Sequence, residues 1–232
     1  MFYKGVVKIV NYGLQIGHKF NQDGSPRKYP GNTIISDVEP SNPAYPVIGR
    51  LRRILSSGEL GKAFIFLPDD SYHVTIIRGV NDCVREPAYW PSALPLDTPM
   101  AAVDDYFEEH ASKVTAPKQV HMKFDHVKID AYDVRICLQP WDEAQDRELR
   151  AYRDQVADSI GLRLPGHDAY TYHITLAYVL WIPEGEQRHE LEKRVAQMDA
   201  VLKEQSDFWL SEPKIRFYDD MLNFHTHRIP RT

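Results

Sequence analysis

Two short segments of the chain repeat each other one hundred positions apart: residues 71–77 read SYHVTII and residues 171–177 read TYHITLA. Each copy holds a His and, two positions later, a Thr. An imidazole titrates near neutral pH, so one His can accept a proton while the other donates one. A Thr hydroxyl can donate a hydrogen bond to an oxygen on which negative charge develops. The pair of copies therefore predicts acid–base chemistry without a metal, of the kind that attack on a phosphodiester requires.

Strand alternation predicts where these side chains point, because residues two apart in a strand share a face. One face of each copy is then polar and carries Ser71, His73, Thr75 and Ile77, or Thr171, His173, Thr175 and Ala177. The other face is apolar and carries Tyr72, Val74 and Ile76, or Tyr172, Ile174, Leu176 and Tyr178. We therefore predict that the apolar faces enter the core and that both His-Thr faces line one shared groove.

The elements around the two copies also repeat. Each half has a helix ending in Gly, a Leu-Pro turn, the His-x-Thr strand and a later helix. Helices are predicted from about 43 to 58, 100 to 112, 142 to 161 and 186 to 204, and strands near 63–67, 119–128 and 132–138, with a last strand pair in IRFYDD and MLNFHTH. A single long repeat indicates duplicated lobes rather than a solenoid.

We accordingly predict an α+β fold with two lobes, in which two antiparallel β-sheets related by a pseudo-twofold axis carry helices on the outside and enclose a central cleft. The segment from Gly13 to Pro46 is rich in Gly, Pro, Asn and Asp, which predicts turns and short strands. We expect residues 1–42 to form an N-terminal extension packed on the domain. Residues 43–232 then form one bilobal domain.

The composition limits the classes of function. The chain has 232 residues, 43% of them hydrophobic and 26% charged, with a net charge of −5. A general nucleic-acid coat would be basic, so this charge argues against one. The sequence has no apolar run near the roughly 20 residues of a membrane span and no secretory signal. Cys83 and Cys137 form neither a disulfide framework nor a zinc spacing. We expect a cytoplasmic globular protein without membrane contact.

The motifs SYHVTI and TYHITL resemble the 2H phosphoesterase superfamily, which includes RNA 2′,3′-cyclic phosphodiesterases and bacterial 2′-5′ RNA ligase-like proteins. The resemblance spans roughly residues 43–226. It implies a bilobal fold, cleavage of cyclic phosphates or 2′-5′ linkages, and no cofactor or obligate metal. It makes His73 and His173 the acid–base pair and Thr75 and Thr175 the phosphate clamps. KFNQDGSPRKYPGNTII, SYHVTIIRGV and the later WP resemble a largely uncharacterised branch of the superfamily.

Several further residues are candidates for binding substrate. Arg135 alternates with the apolar residues of YDVRICL, so it either neutralises substrate phosphate or is solvated. By strand alternation Arg78 lies on the apolar face of its strand, so its side chain reaches the groove less directly. Tyr170, Tyr178 and Trp90 could stack on a base or pack in the core. We name Arg135, Tyr170 and Arg78 as the substrate-binding set.

Other readings stay open at this stage. His225 and His227 share one strand face, but no third metal ligand accompanies them, so no metal is predicted. Arg50, Arg52 and Arg53 are expected on the solvated face of a helix. The leading prediction is a monomeric enzyme acting on a nucleotide or RNA-end phosphodiester. The alternatives are cleavage or ligation of a 2′-5′ or cyclic oligonucleotide, a module that binds RNA ends or nucleotides without turnover, and a metal-dependent phosphatase. Which His is the base is left open.

Overall fold

The computed structural model describes residues 10–205 and 207–226. Its helices are α1 (Ala44–Ser56), α2 (Met100–Ala111), α3 (Glu143–Ile160) and α4 (Glu186–Leu202). Its strands are β1 (Gly31–Asp37), β2 (Phe64–Phe66), β3 (His73–Asn81), β4 (Gln119–Ile129), β5 (Asp133–Pro140), β6 (His173–Val179), β7 (Phe208–Ser211) and β8 (Lys214–Tyr218). The α+β class and the four predicted helices are confirmed.

The strands pair antiparallel in the order β7-β4-β5-β6-β3-β1-β8, and β2 adds to β6. The two predicted sheets are the halves of this sheet, β7-β4-β5-β6 and β3-β1-β8. The halves join through β3 and β6, where Val74 pairs with Ile174. Both residues are fully buried, as the alternation predicts. Helix α3 packs against β3 and β5, α4 against β4, and α2 against β1.

Local sequence explains the helices. Helix α1 buries Val47, Ile48, Leu51 and Leu55, which recur at helical spacing and face the core. Helix α3 begins where the Asp142 side chain accepts a hydrogen bond from the backbone N–H of Gln145, and it ends at Gly161 in the left-handed conformation. Among the residues that the structure describes, no helix is long and apolar enough to cross a membrane.

Two parts of the chain differ from the sequence prediction. Residues 31–37 lie in the stretch assigned to the extension, yet they form β1, an inner strand between β3 and β8. The strand predicted for MLNFHTH is wrong: residues 221–224 form turns and coil, and His225 makes a single bridge to Phe217. His227, the second residue of the suggested metal pair, lies outside the described residues.

The extension before β1 is docked on the second lobe. The Gly13 N–H donates to the Leu180 carbonyl oxygen at 3.0 Å, and Leu14 N–H donates to Ala131 at 2.8 Å. A Cβ at Gly13 would lie 2.0 Å from the Val179 carbonyl oxygen, so only Gly permits this approach. Phe20 is fully buried and packs on Tyr178 with ring centroids 4.8 Å apart. The extension therefore holds a fixed place at the end of β6.

Candidate active site

A cleft of about 580 Å³ opens between the lobes, on the polar side of β3 and β6. It is lined by all four residues of the two motifs, His73, Thr75, His173 and Thr175. Its volume is within the range of small-molecule sites. The structure thus brings together side chains that are one hundred positions apart in the chain.

The register at the join sets how the motifs face each other. Val74 pairs with Ile174 in antiparallel orientation. Because the pairing is antiparallel, Thr75 and His173 lie on one side of this pair, and His73 and Thr175 lie on the other. The two His-Thr pairs are therefore placed crosswise, as expected around a pseudo-twofold axis.

Both imidazoles are oriented by the backbone carbonyl two residues earlier in the chain. The Nδ1 atom of His73 lies 2.6 Å from the carbonyl oxygen of Ser71, and that of His173 lies 3.3 Å from Thr171. A carbonyl oxygen can only accept a hydrogen bond, so Nδ1 carries the proton in each ring. This fixes the tautomer and leaves Nε2 of each ring for proton exchange with a substrate.

The cleft shifts the titration of both rings in the same direction. Burial lowers the pKa of His73, opposed by its bond to Ser71 and by the Asp37 carboxylate. Burial also lowers the pKa of His173, opposed by Thr171 and Asp133. The pKa shifts move both groups below the usual value of 6.5. Each ring is therefore predominantly neutral at pH 7.

His73 has two neighbours that the sequence did not indicate. Asp37 of β1 pairs in register with His73 and forms an ion pair with the buried guanidinium of Arg216. The ring of Phe224 lies against the His73 ring, with centroids 4.5 Å apart. Phe224 comes from the tail that was read as a strand, where alternation gave no sign that it reaches the cleft. Both contacts restrict the position of the imidazole.

A β-bulge follows the Thr in each copy, so the residues after the bulge occupy the opposite face of the strand from the one that simple alternation predicts. Thr75 and Ile77 pair with the adjacent residues Ile35 and Ile34 of β1, and Thr175 and Ala177 pair likewise with Arg135 and Val134 of β5. One residue of β3 and one of β6 are therefore extra. Ile77 and Ala177, predicted on the cleft face, are buried, so this part of the prediction is wrong.

The same bulges bring two other residues into the cleft. Arg78 and Tyr178, expected on the apolar face, both line it. Arg78 is exposed and, within the described chain, has no ion-pair partner. Arg135 also lines the cleft, but its Nε donates to Asp133 and its Nη2 to Asp130, both at 2.6 Å. Of the two predicted arginines, Arg78 therefore has the uncompensated charge.

Of the three aromatic candidates, two line the cleft and one does not. The Tyr170 hydroxyl donates to the Thr75 carbonyl oxygen at 3.0 Å, and its ring lies 4.2 Å from the Arg153 guanidinium. Tyr170 is therefore part of the cleft wall and supports the first motif. Trp90 is buried outside the cleft and donates its Nε1–H to the Pro95 carbonyl oxygen at 2.9 Å. It is a core residue.

Lys19 of the extension is a cleft residue that sequence reasoning missed. Its Nζ lies 5.4 Å from the centre of the Tyr29 ring and 5.3 Å from that of Tyr178. Burial lowers the pKa of Lys19 to about 8, with the nearby Arg78 charge acting in the same direction and Asp133 opposing. The sequence predicts only that the extension packs on the domain, and nothing in its composition marks one of its lysines.

Arginines from the helices hold the turn before each motif. Arg52 of α1 donates to the Leu67 carbonyl oxygen and to the Tyr72 hydroxyl, so its expected place on a solvated helix face is wrong. Arg153 of α3 donates to the carbonyl oxygens of Ile76 and His167. These bonds attach the first motif, and the turns before both motifs, to helices α1 and α3.

One cluster of possible metal ligands occurs in the described part of the chain, formed by Asp154, His167 and Asp168. It does not line the cleft. The guanidinium of Arg163 contacts Asp154 at 2.9 Å and Asp168 at 3.1 Å, so their charge is already compensated. The cluster is an ion-pair network around the turn before the second motif.

Comparison with known proteins agrees with this description. Residues 19–132 match the sequence model of a family labelled 2H-phosphodiest and described as a domain of unknown function (DUF1868). This match includes the first motif. No curated protein sequence shows a significant match. A crystal structure of a conserved protein of unknown function from Agrobacterium tumefaciens is similar, with a TM-score of 0.78 at 25% identity, over 95% of this chain and 94% of that one.

Together these findings confirm the resemblance to an uncharacterised branch of the 2H phosphoesterases, and the family match supports a phosphodiesterase-type function.

Proposed function

We propose that this 2H phosphoesterase-like protein is a phosphodiesterase that hydrolyses a 2′,3′-cyclic phosphate or a related nucleotide ester by acid–base catalysis between His73 and His173, without a metal. The observation that carries the proposal is the crosswise placement of the two His-Thr pairs in one cleft. A scissile phosphate between them would meet an imidazole on each side and a hydroxyl from each lobe.

In the proposed reaction one neutral imidazole takes a proton from water through Nε2 while the water oxygen bonds to phosphorus. The phosphorus bond to one ribose oxygen breaks, and the other imidazole, in its protonated form, gives that oxygen a proton. The product is a nucleoside monophosphate, and at the end of the reaction the two rings have exchanged their protonation states. Thr75 and Thr175 donate their hydroxyls to the non-bridging oxygens, where negative charge increases.

Our proposal divides the two roles by the hydrogen bond that each ring makes to the backbone. The bond from Nδ1 to the backbone carbonyl is 2.6 Å in His73 and 3.3 Å in His173. A shorter bond to an acceptor favours the charged ring. We therefore assign His73 as the acid and His173 as the base in the hydrolytic direction.

The size and the lining of the cleft fit a nucleotide. Gln15, Lys19 and Tyr29 of the extension line it together with residues of both lobes. Tyr132, Tyr178 and Phe224 supply aromatic surface for a base. A nucleotide fits a volume of about 580 Å³.

The test is hydrolysis of nucleoside 2′,3′-cyclic phosphates in EDTA, followed by phosphorus NMR to identify the broken bond. We expect the wild-type enzyme to retain activity in EDTA, and His73→Ala and His173→Ala each to lower kcat by about 100-fold or more. Loss of activity in EDTA would reject the metal-free mechanism. Tight nucleotide binding without turnover between pH 5 and 8 would instead favour a binding module.

A sulfur leaving group tests the assignment of roles. A thiolate leaves without protonation, so a substrate with sulfur at the leaving position should restore turnover to His73→Ala and leave His173→Ala inactive. Equal rescue of the two variants would contradict the assignment. His18→Ala is a matched control, since this exposed histidine does not line the cleft.

A further inference from the structure

The cleft contains more positive charge than a single phosphodiester requires. Lys19 of the extension and Arg78 of β3 both line it. Neither side chain has an ion-pair partner in the part of the chain that the structure describes. Arg135 differs, because Asp130 and Asp133 already compensate it.

The fold holds these two cations together against their repulsion. The Arg78 charge is close enough to disfavour the charged form of Lys19. The docked extension fixes the Lys19 backbone, whose N–H donates to Gln15 and whose carbonyl oxygen accepts from Arg27 at 2.8 Å. The faces of Tyr29 and Tyr178 flank its Nζ. Unpaired like charges that are kept close by packing are stabilised when an anion binds between them.

Lys19 and Arg78 lie in a different part of the cleft from His73, Thr75, His173 and Thr175. Arg78 follows Thr75 by three residues, beyond the bulge of β3. Lys19 Nζ lies against the ring of Tyr29, whose backbone carbonyl oxygen accepts a hydrogen bond from Asn81 at the end of the same strand. Both cations therefore lie beyond Thr75 toward the end of β3, and a group bound there belongs to another part of the substrate.

We propose that Lys19 and Arg78 form a second anion subsite, which binds a phosphate that the substrate carries in addition to the scissile one. This inference rests on the proposed function, and it specifies the substrate class as a nucleotide with two separate phosphate groups. A Lys ammonium is a compact charge with three donors, and an Arg guanidinium offers a planar fork of donors, so Lys19 and Arg78 together suit a phosphate dianion.

Calorimetric binding at pH 7 tests the subsite without depending on turnover. The probes are adenosine 3′,5′-bisphosphate, adenosine 3′-monophosphate and inorganic pyrophosphate. We expect the wild-type protein to bind the bisphosphate about 10- to 100-fold more tightly than the monophosphate, the range for one or two charge-assisted contacts. Lys19→Gln should remove most of this preference, and Lys19→Arg should keep it. Lys28→Gln is the matched control, because Lys28 is an exposed lysine of the same extension outside the cleft.

The outcomes separate the subsite from the proposed function. If Lys19→Gln weakens both adenine nucleotides equally, Lys19 contacts the scissile phosphate or only supports the fold, and the subsite is rejected. If neither nucleotide binds but pyrophosphate binds in a manner that requires Lys19, the subsite stands and the nucleotide function fails. Pyrophosphate binding that is absent, or unchanged in Lys19→Gln, overturns the subsite.

Discussion

Replacing Lys19 by Met should stabilise the folded protein at pH 7, although it removes a residue that we place in the substrate cleft. Burial lowers the pKa of the ammonium from 10.5 to about 8. A tenfold change in proton affinity corresponds to about 1.4 kcal/mol, so keeping Lys19 charged costs on the order of 3 kcal/mol. The side chain of Met retains the apolar stem and carries no charge to desolvate.

Other contacts of Lys19 offset part of this gain. The faces of Tyr29 and Tyr178, 5.4 and 5.3 Å from Nζ, each contribute about 0.5–1 kcal/mol through cation–π attraction. The pKa of about 8 already includes the opposing effect of the Asp133 carboxylate, so this effect is not subtracted again. The expected net gain is therefore about 1–2 kcal/mol, which would raise the Tm by roughly 2–8 °C for a chain of this size.

The pH dependence identifies the cause of the gain. The pKa of Lys19 is lower in the folded protein than in the unfolded chain, so the unfolded chain binds more protons between pH 8 and 10.5. The contribution of Lys19 to the stability of the wild-type protein therefore rises with pH across this range. Burial raises the pKa of Tyr29 and Tyr178, so these flanking groups stay neutral over most of this range. The advantage of Lys19→Met should therefore shrink from pH 7 to pH 10.

Urea denaturation of wild type, Lys19→Met and Lys28→Met at pH 7 and pH 10 measures this difference. Taking the variant relative to wild type at each pH cancels the titration of all other groups. Lys28→Met should leave stability nearly unchanged at both pH values, since Lys28 is exposed. Lower stability of Lys19→Met at pH 7, or an equal gain at both pH values, would refute the reasoning.

Two further predictions concern the imidazoles and the extension. Because burial lowers the pKa of both His73 and His173, kcat/KM for a cyclic nucleotide should peak below pH 6.5, and a maximum above pH 7 would contradict the site description. Gly13→Ala should loosen the extension, since its Cβ would lie 2.0 Å from the Val179 carbonyl oxygen, and should speed tryptic cleavage after Lys19 several-fold. The control is Gly49→Ala in α1, where there is room for a methyl group. This variant should leave the cleavage rate unchanged and stabilise the folded protein by about 0.5–1 kcal/mol. Equal cleavage rates in the two variants would exclude the steric explanation.

The sequence predicted the helices, the class of fold and the meeting of the two motifs because these depend on local signals. Helical spacing in α1 and α3 and the alternation through Val74 and Ile174 are properties of short segments. The buried pair at the join of the lobes follows directly from that alternation.

The bulges could be predicted only in part. Alternation breaks at Ile76-Ile77 and Leu176-Ala177, where two apolar residues are adjacent, and this signal was present at the same place in both copies. It does not reveal whether the strand ends or bulges, because that depends on pairing with β1 and β5. β1 itself shares no letter with the equivalent residues 131–137, so its place in the repeat could be found only from the sheet.

Lys19 could not be predicted for a different reason. Its position depends on contacts between the extension and the second lobe, such as those of Gly13 with Leu180 and Phe20 with Tyr178. These contacts join residues more than 150 positions apart, and no pattern within the extension specifies them. Only the docked structure shows which lysine faces the cleft.

The repeat also indicates how reaction and specificity are divided in the proposed enzyme. At an offset of one hundred residues, His and Thr are identical in the two lobes, and they surround the axis where a scissile phosphate would lie. Their neighbours differ: Asp37 pairs with His73 where Cys137 pairs with His173, and Ile35 pairs with Thr75 where Arg135 pairs with Thr175. After the bulges, Arg78 corresponds to Tyr178. A symmetric centre can exchange protons in either direction, whereas a substrate without twofold symmetry needs a different surface on each side. In our proposal the residues that the duplication kept identical carry the chemistry, and those that diverged, together with Lys19 from outside the repeat, select the substrate.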